Sequence, residues 1–587
     1  MTMIRNFLMT SITLLILAAT AAAAAQPAIL DAALRGDRAA VRSLIAKGAD
    51  VNAAAADGAT AIHWAVYRGD VEMAQMLISA GAKVTIANRN GATPLWLAAT
   101  NGDAVMIRTL LDGGADPNEK LPLGRTPLMV AARTGKVDAI RVLIDRGANV
   151  NAREDQRGTT PLMWAADQGH TAAVQLLVER GADIAVRSAP AERGRGPALG
   201  KANDPRESVR RQVAAILANQ KSPDLSSLRQ AGQNRNANAN ADADANDNDD
   251  QDDAAAGVFP RRGRAAADGG QLTALIYAAR ANSRETVQAL LKAGANVNEV
   301  SGYGWTPLLV ATQNRFYQLG AYLLENGADP NIANKGGWTP LYLATDNRNI
   351  ERGDYPVRQP DMDHLEFIKL LLAKGADVNA RMIDSTETRT VFTNQWLDEE
   401  GATAFLRASQ SGDLELMKLL LAHGADPRIA TKLNVTPLQV AAGIGWVEGI
   451  TFEWSPEQTL EAVRLLLELG IDPNVQAATG RVALHGAAHK GATEVVKLLV
   501  KYGARMDIRD YGNTDNRGSP ELAAHTWLPV DYADGLVRVG VQSAIPHPET
   551  GRVLRELMKE AGLDPPPMGR TLDSICITEI CSIDYSP

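Results

Sequence analysis

Gly304-Trp305-Thr306-Pro307-Leu308-Leu309-Val310-Ala311 reads as one phrase: a turn glycine, a Thr-Pro step, then the apolar start of a helix. It returns 33 residues later as Gly337-Trp338-Thr339-Pro340-Leu341-Tyr342-Leu343-Ala344. Weaker copies stand at Thr93-Pro94-Leu95, Thr126-Pro127-Leu128, Thr160-Pro161-Leu162 and Thr436-Pro437-Leu438. Gly48, Gly81, Gly114 and Gly147 give a second ruler with the same step of 33, as do the pairs Gly294/Gly327 and Gly470/Gly503. A fixed period of this length means stacked supersecondary units, and it decides the architecture before any single residue does.

Each part of the phrase has a physical reason. Thr caps the free N–H groups of a first helical turn. Proline beside it costs nothing there, because its missing N–H would have had no intrahelical partner. A second helix follows, with Val137, Ile140, Val142, Leu143 and Ile144 at helical spacing in one copy. The next Gly suits a left-handed C-terminal residue, and Asn149-Val150-Asn151 opens a turn. One such unit cannot bury its own apolar face, so neighbours must stack.

The pattern resembles the ankyrin repeat, a turn plus two helices with a T-P-L-H-x-A signature. Thr60-Ala61-Ile62-His63-Trp64-Ala65 keeps the His and loses the Pro. Val482-Ala483-Leu484-His485-Gly486-Ala487 also keeps the His, with Val in place of Thr. The resemblance implies an all-α solenoid of about 12 helix-turn-helix units with β-turn or hairpin fingers, and protein–protein interaction as the class of function. Fold alone does not fix function.

The chain has 587 residues, 45% hydrophobic and 22% charged, with a net charge of -8. Such mild acidity gives no reason to expect nucleic-acid binding, which favours a basic surface. Residues 1–25 read as a signal peptide: Arg5, an apolar run from Phe7 to Ala19, and an Ala23-Ala24-Ala25 cleavage site. An uncleaved N-terminal anchor is the alternative. An exported protein is therefore expected, periplasmic or secreted, monomeric and without membrane insertion after cleavage. Cys576 and Cys581, the two cysteines, lie near the C-terminus. An oxidising compartment would allow a small disulfide loop between them, with free thiols as the alternative.

In order, residues 26–184 hold repeats one to five. Residues 185–269 are a low-complexity insertion, expected to be largely disordered. Asn234 to Asp253 is almost only Asn, Ala and Asp, which cannot bury enough apolar surface to fold. The stack is expected to continue across it; two repeat blocks joined by a linker is the alternative. Residues 270–564 hold repeats six to twelve, and 565–587 form a tail. Repeats eight to ten are enlarged, since Gly327, Gly375, Gly424 and Gly470 step by 48, 49 and 46.

Insertions in solenoids often map to the binding face. Of the 27 Phe, Trp and Tyr residues, 15 fall between 301 and 455, which points to the same region. The expected partner-binding residues are Tyr303, Trp305, Trp338, Tyr342, Trp396, Trp446 and Trp454. Trp305 and Trp338 follow the turn Gly, a position that faces the concave surface in the family the chain resembles. Other repeats put Ala59, Ala92, Arg125 and Thr159 there. The alternative is that the long loops fold back and bury these rings in a core of their own.

No metal, cofactor or catalytic group is expected. His485 and His489 are four apart on a helix, but Gly486 stands where the zinc-protease pattern needs Glu. Taken together, these features imply an exported scaffold for an unidentified protein partner. A secreted effector acting on a host or competitor protein shares its fold. An enzyme or small-ligand binder using the enlarged loops, with Asp354, Asp361, Asp363, His364, Asp398, Glu399 and Glu400 available, is the remaining reading.

Overall fold

The structure, a computed structural model, describes residues 27–191, 269–349, 358–383, 399–448, 451–512, 525–537 and 545–572. The signal-peptide, Trp396, Cys576 and Cys581 readings, and nearly all of the 185–269 insertion, lie outside them. Among the described residues there are 24 α-helices. They group into two units, residues 1–190 with 270–296, and residues 191–269 with 297–587.

The first unit contains α1 (Ala28–Arg35), α2 (Arg38–Ala46), α3 (Ala61–Tyr67), α4 (Val71–Ser79), α5 (Pro94–Asn101) and α6 (Ala104–Asp112). It continues with α7 (Pro127–Thr134), α8 (Val137–Asp145), α9 (Pro161–Asp167) and α10 (Thr171–Glu179), then α11 (Ala274–Arg280) and α12 (Arg284–Lys292). Odd-numbered helices pack on odd-numbered neighbours and even on even, so repeat stacks on repeat. The stacking includes α9 on α11 and α10 on α12. Ser188 N donates to Leu272 O at 2.9 Å, and Leu272 N to Ser188 Oγ at 2.9 Å. The chain therefore leaves and re-enters this unit at adjacent points.

The second unit contains α13 (Pro307–Gln313), α14 (Tyr317–Glu325), α15 (Pro340–Arg348), α16 (His364–Ala373), α17 (Ala404–Gln410) and α18 (Leu414–Ala422). After these come α19 (Pro437–Ala442), α20 (Pro456–Glu468), α21 (Ala483–Lys490), α22 (Thr493–Lys501), α23 (Pro529–Ala533) and α24 (Pro548–Glu560). Its first helices stack in the order α13, α15, α17, α19, α21, α23.

The Thr-Pro phrase does what its chemistry dictates. Thr Oγ1 accepts the N–H three residues on at Thr93, Thr126, Thr160, Thr306, Thr339 and Thr436. Thr273 and Thr403 cap in the same way without the Pro, and in other repeats the residue three after the Thr adds to the turn. His63 Nδ1 accepts the Thr60 N–H at 3.1 Å and its Nε2 donates to Ala92 O of the next repeat at 3.1 Å. Accepting at one nitrogen and donating at the other fixes the neutral tautomer. Gln439 substitutes for this His: Oε1 accepts Thr436 N at 2.8 Å and Nε2 donates to Val475 O at 2.6 Å.

Two ladders hold the repeats in register. In the first, Asn52 Nδ2 donates to Gly81 O at 3.0 Å and its Oδ1 accepts Lys83 N at 2.8 Å. Asn118, Asn151, Asn298, Asn331, Asn379 and Asn474 donate to the corresponding glycine carbonyls. In the second, a backbone bond joins one finger to the next at most steps, as from Arg89 N to Asp57 O at 2.8 Å and from Lys335 N to Tyr303 O at 3.0 Å. The enlarged repeats keep both. Asn331 and Asn379 reach Gly375 and Gly424 across 44 and 45 residues, against 29 for Asn52 and Gly81.

The finger bridge shows where one enlargement sits. In fingers of ordinary length it closes over four residues, as from Asn334 N to Trp338 O and from Thr431 N to Val435 O. In repeat nine Met382 N bonds to Ala402 O at 2.9 Å, so the extra residues are inserted within the finger. Repeat twelve does the same between Asp510 N and Trp527 O at 3.0 Å.

Candidate partner-binding surfaces

The enlarged region of the second unit was the expected site, and its aromatic residues divide. Trp338 is only 1% exposed and Tyr342 only 2%. They meet edge to face at 5.2 Å, inside a core with Leu309, Leu343, Met382, Ala402, Leu406 and Val435. Burial pushes the Tyr342 phenol well above its usual range, and the Glu399 carboxylate adds to the shift. Tyr303 is buried, and Trp305 packs half-buried against the same core. The expectation of exposed partner-binding rings is corrected here for Tyr303, Trp338 and Tyr342, which are buried. Met382 and Ala402, paired by the repeat-nine finger bridge, and Val435 from the next finger pack in this core.

Trp454 is 39% exposed but already engaged. Its Nε1 donates to Asn349 Oδ1 at 2.9 Å, and the Arg348 guanidinium lies 4.5 Å over its ring. Arg348 Nε donates to Asp413 Oδ2 at 2.8 Å, and Asn349 Nδ2 donates to the same oxygen at 3.1 Å. Asp413 Oδ1 also accepts Leu416 N at 3.2 Å, capping α18. Arg407 Nε donates to Asp346 Oδ1 at 2.9 Å. Arg407 takes a position that carries Leu343 and Val440 in neighbouring repeats, and it is buried. The between-helix enlargements of repeats eight and ten are thus clasped around a buried ionic network. Trp446 lies edge-on to His489 at 6.2 Å, with the Lys490 ammonium 6.0 Å from its ring.

The acidic and histidine residues considered for catalysis hold structure together. Asp363 caps α16 through Leu365 N at 2.8 Å, Asp361 accepts Gln318 N at 3.0 Å, and Glu400 pairs with Lys432 at 2.5 Å. His364 Nδ1 meets the Tyr317 hydroxyl at 2.8 Å. Asp354 and Asp398 lie outside the described residues. His485 Nδ1 accepts Val482 N at 3.0 Å, and its Nε2 faces Trp527 O at 3.2 Å. Burial lowers His485 and His489 to about 4. Among the described residues no group of three or more His, Cys, Asp or Glu is placed to hold a metal.

The first unit carries what the sequence analysis did not single out. The residue four after the capping position is Trp64, Leu97, Val130, Trp164 and Tyr277 in successive repeats, so these share one helix face. Trp64, Leu97 and Trp164 are half-buried, and Tyr67, 67% exposed, meets Trp64 edge to face at 5.9 Å. Trp164 Nε1 donates to Thr159 Oγ1 at 2.7 Å, and that hydroxyl donates to the buried Glu154 carboxylate at 3.0 Å. Arg125 and Arg133 each place a guanidinium 5.8 Å from the Trp164 ring centre. Arg125 stands in the same repeat position as Trp305 and Trp338. That position is the one noted above as variable from repeat to repeat.

Residues 29–121, 106–188, 275–382 and 455–517 match the family described as "Ankyrin repeats (3 copies)", and residues 400–432 match the single "Ankyrin repeat". Together these span more than half of the chain. The chain belongs to the ankyrin-repeat family. Among curated ankyrin-containing relatives, the mouse B-cell lymphoma 3 protein homolog is 32% identical over 150 residues, 25% of this chain and 30% of its own length. Human ankyrin repeat domain-containing protein 63 is 33% identical over 115 residues, 19% of this chain and 27% of its own. The Arabidopsis thaliana E3 ubiquitin-protein ligase KEG is 26% identical over 182 residues, 30% of this chain and 10% of its own. The matched ankyrin segments thus span under a third of each of these relatives. No helix among the described residues is long and apolar enough to cross a membrane.

Proposed function

We propose that this protein is an exported, non-enzymatic ankyrin scaffold that holds a protein partner on the first-helix face of its repeats. The ankyrin stack supports the class of function. The observation that carries the location is the ring of Trp164 with the guanidinium groups of Arg125 and Arg133 beside it, neither ion-paired among the described residues. Trp and Arg are the residue types that most often dominate interface energetics. The second unit offers no equivalent at Trp338, which is enclosed. Export rests on the N-terminal segment, Arg5 followed by the apolar run and the Ala-rich cleavage site.

Cross-linking capture with the mature chain, residues 26–587, beside a Trp164→Ala variant of unchanged circular dichroism tests the location. A partner held by both proteins equally would move the site off this face. Cell fractionation tests export, and a cytoplasmic, full-length product would overturn it. Recovery from the medium rather than the envelope would favour the effector role.

A further inference from the structure

We propose that the Arg125–Trp164–Arg133 surface takes an acidic peptide segment of its protein partner, a reading that rests on the scaffold role above. The chain as a whole is acidic, with a net charge of -8, so two free arginines on one ring are not a by-product of general basicity. Among the described residues, neither Arg125 nor Arg133 is ion-paired, whereas Arg146 and Arg180 pair with Asp112 and Asp145 of the preceding repeats. The carboxylates nearby are taken up. Asp167 pairs with Arg280 at 2.5 Å. Glu154 is buried and accepts the N–H groups of Gln156, Arg157 and Thr159 together with the Thr159 hydroxyl. Asp155, exposed over Gly124, leaves both guanidinium groups uncommitted.

The geometry is pre-set. Trp164 spends its only donor on Thr159, so the indole is fixed and presents its π face. A guanidinium beside an indole face keeps its donor fork for a carboxylate, since the ring contact uses no N–H geometry. Carboxylates bind that fork in pairs of parallel hydrogen bonds. An extended segment with acids on either side of an apolar or aromatic residue would satisfy both arginines and the ring. A basic segment would place like charges on Arg125 and Arg133.

The test is peptide display on the immobilised mature chain, followed by fluorescence polarisation of a synthetic Asp/Glu-rich peptide of about twelve residues carrying one Tyr. The expected result is enrichment of acidic sequences. The synthetic peptide should weaken roughly tenfold or more in Arg125→Ala/Arg133→Ala, and steeply with added salt, as charge-assisted contacts do. Both arginines are partly or fully exposed, so the double variant keeps its thermal transition, and Arg125→Lys/Arg133→Lys should recover part of the affinity. Enrichment of neutral or apolar peptides that Trp164→Ala abolishes would overturn the acidic class and leave the scaffold reading standing. No enrichment, with a folded partner still captured by cross-linking, would do the same. Binding seen only after deletion of residues 242–253 would put the chain's own seven aspartates there and overturn a partner in trans.

Discussion

The two units answer the same repeat pattern in opposite ways. In the first, the helix face keeps Trp64 and Trp164 half-open, with Tyr67, Arg125 and Arg133 around them. In the second, Trp338, Tyr342 and Leu343 are sealed into a core with Met382, Ala402 and Val435. The repeat register is the same in both, because the Asn ladder runs through both. What differs is the set of side chains that packs over the helix face. Met382 and Ala402 at the base of one finger and Val435 at the base of the next supply the apolar neighbours that make these rings core residues. An aromatic-rich, enlarged region is thus a sign of local stabilisation as readily as of binding.

The sharpest test of that contrast is to remove one ring from each side. Trp338→Ala should cost about 3–5 kcal/mol, the usual price of deleting a buried aromatic. Trp164→Ala should cost well under half as much, about 1 kcal/mol or less, because the ring is half-exposed. Urea unfolding compares them, and equal losses would dissolve the distinction. Next in size is Asp413→Ala, which leaves Arg348 and Asn349 without their shared carboxylate. Breaking a buried pair on one side costs about 3 kcal/mol, read in the same experiment. Retained stability would mean that Trp454 and Arg348 do not depend on the clasp.

A pH scan should separate the units by the steepness of their acid response. His485 and His489 fall to about 4 when folded, against an ordinary 6.5, because burial disfavours their charged forms. A lowered folded value contributes stability that is present above 6.5 and lost as pH falls toward 4. The second unit should therefore weaken on acidification over that window. In the first unit burial raises Glu119 to about 7, against the opposing hydroxyl of Thr93. A raised carboxyl contributes stability that is present at low pH and lost as pH rises through about 7. His63, lowered by burial, works the other way there, so the first unit should show a flatter profile. Hydrogen exchange at α21 and α5, corrected for intrinsic rates, reads each unit. His485→Gln should keep its bonds, as Gln439 does naturally, and remove much of the acid sensitivity of α21. An unchanged acid response would place the sensitivity elsewhere.

The smallest expected effect is also the most uniform. Asn118→Ala in the first unit and Asn331→Ala in the second should each cost about 1 kcal/mol, as two exposed hydrogen bonds to a loop are lost. A much larger loss at Asn331 would show that the ladder carries more load across an enlarged repeat than across an ordinary one.

Most of the fold was legible. The step of 33 and the Thr-Pro-Leu copies name the first helices, and the recurring Gly names the end of the second. The positions of the enlargements followed from the glycine steps. The candidate site was less legible for a physical reason. Whether Trp338 is open depends on Met382 and Ala402, which lie 44 and 64 residues away in sequence and meet only when the finger closes. Trp164 and Arg125 are 39 apart and belong to different copies, so no local pattern announces their contact. The Asn ladder was read as turn chemistry alone, although the same side chain reaches the following repeat.

The bridge between Met382 and Ala402 separates the finger's length from the frame that carries it. Closing twenty residues rather than four costs only about 1.5 kcal/mol of chain entropy, and the frame behind it is unchanged. The span between Ile383 and Glu399 is therefore where a foreign sequence of similar length could be grafted, and where lineages could rewrite the chain at their own rate, with the Asn331–Gly375 and Asn379–Gly424 bonds left to hold the neighbouring repeats.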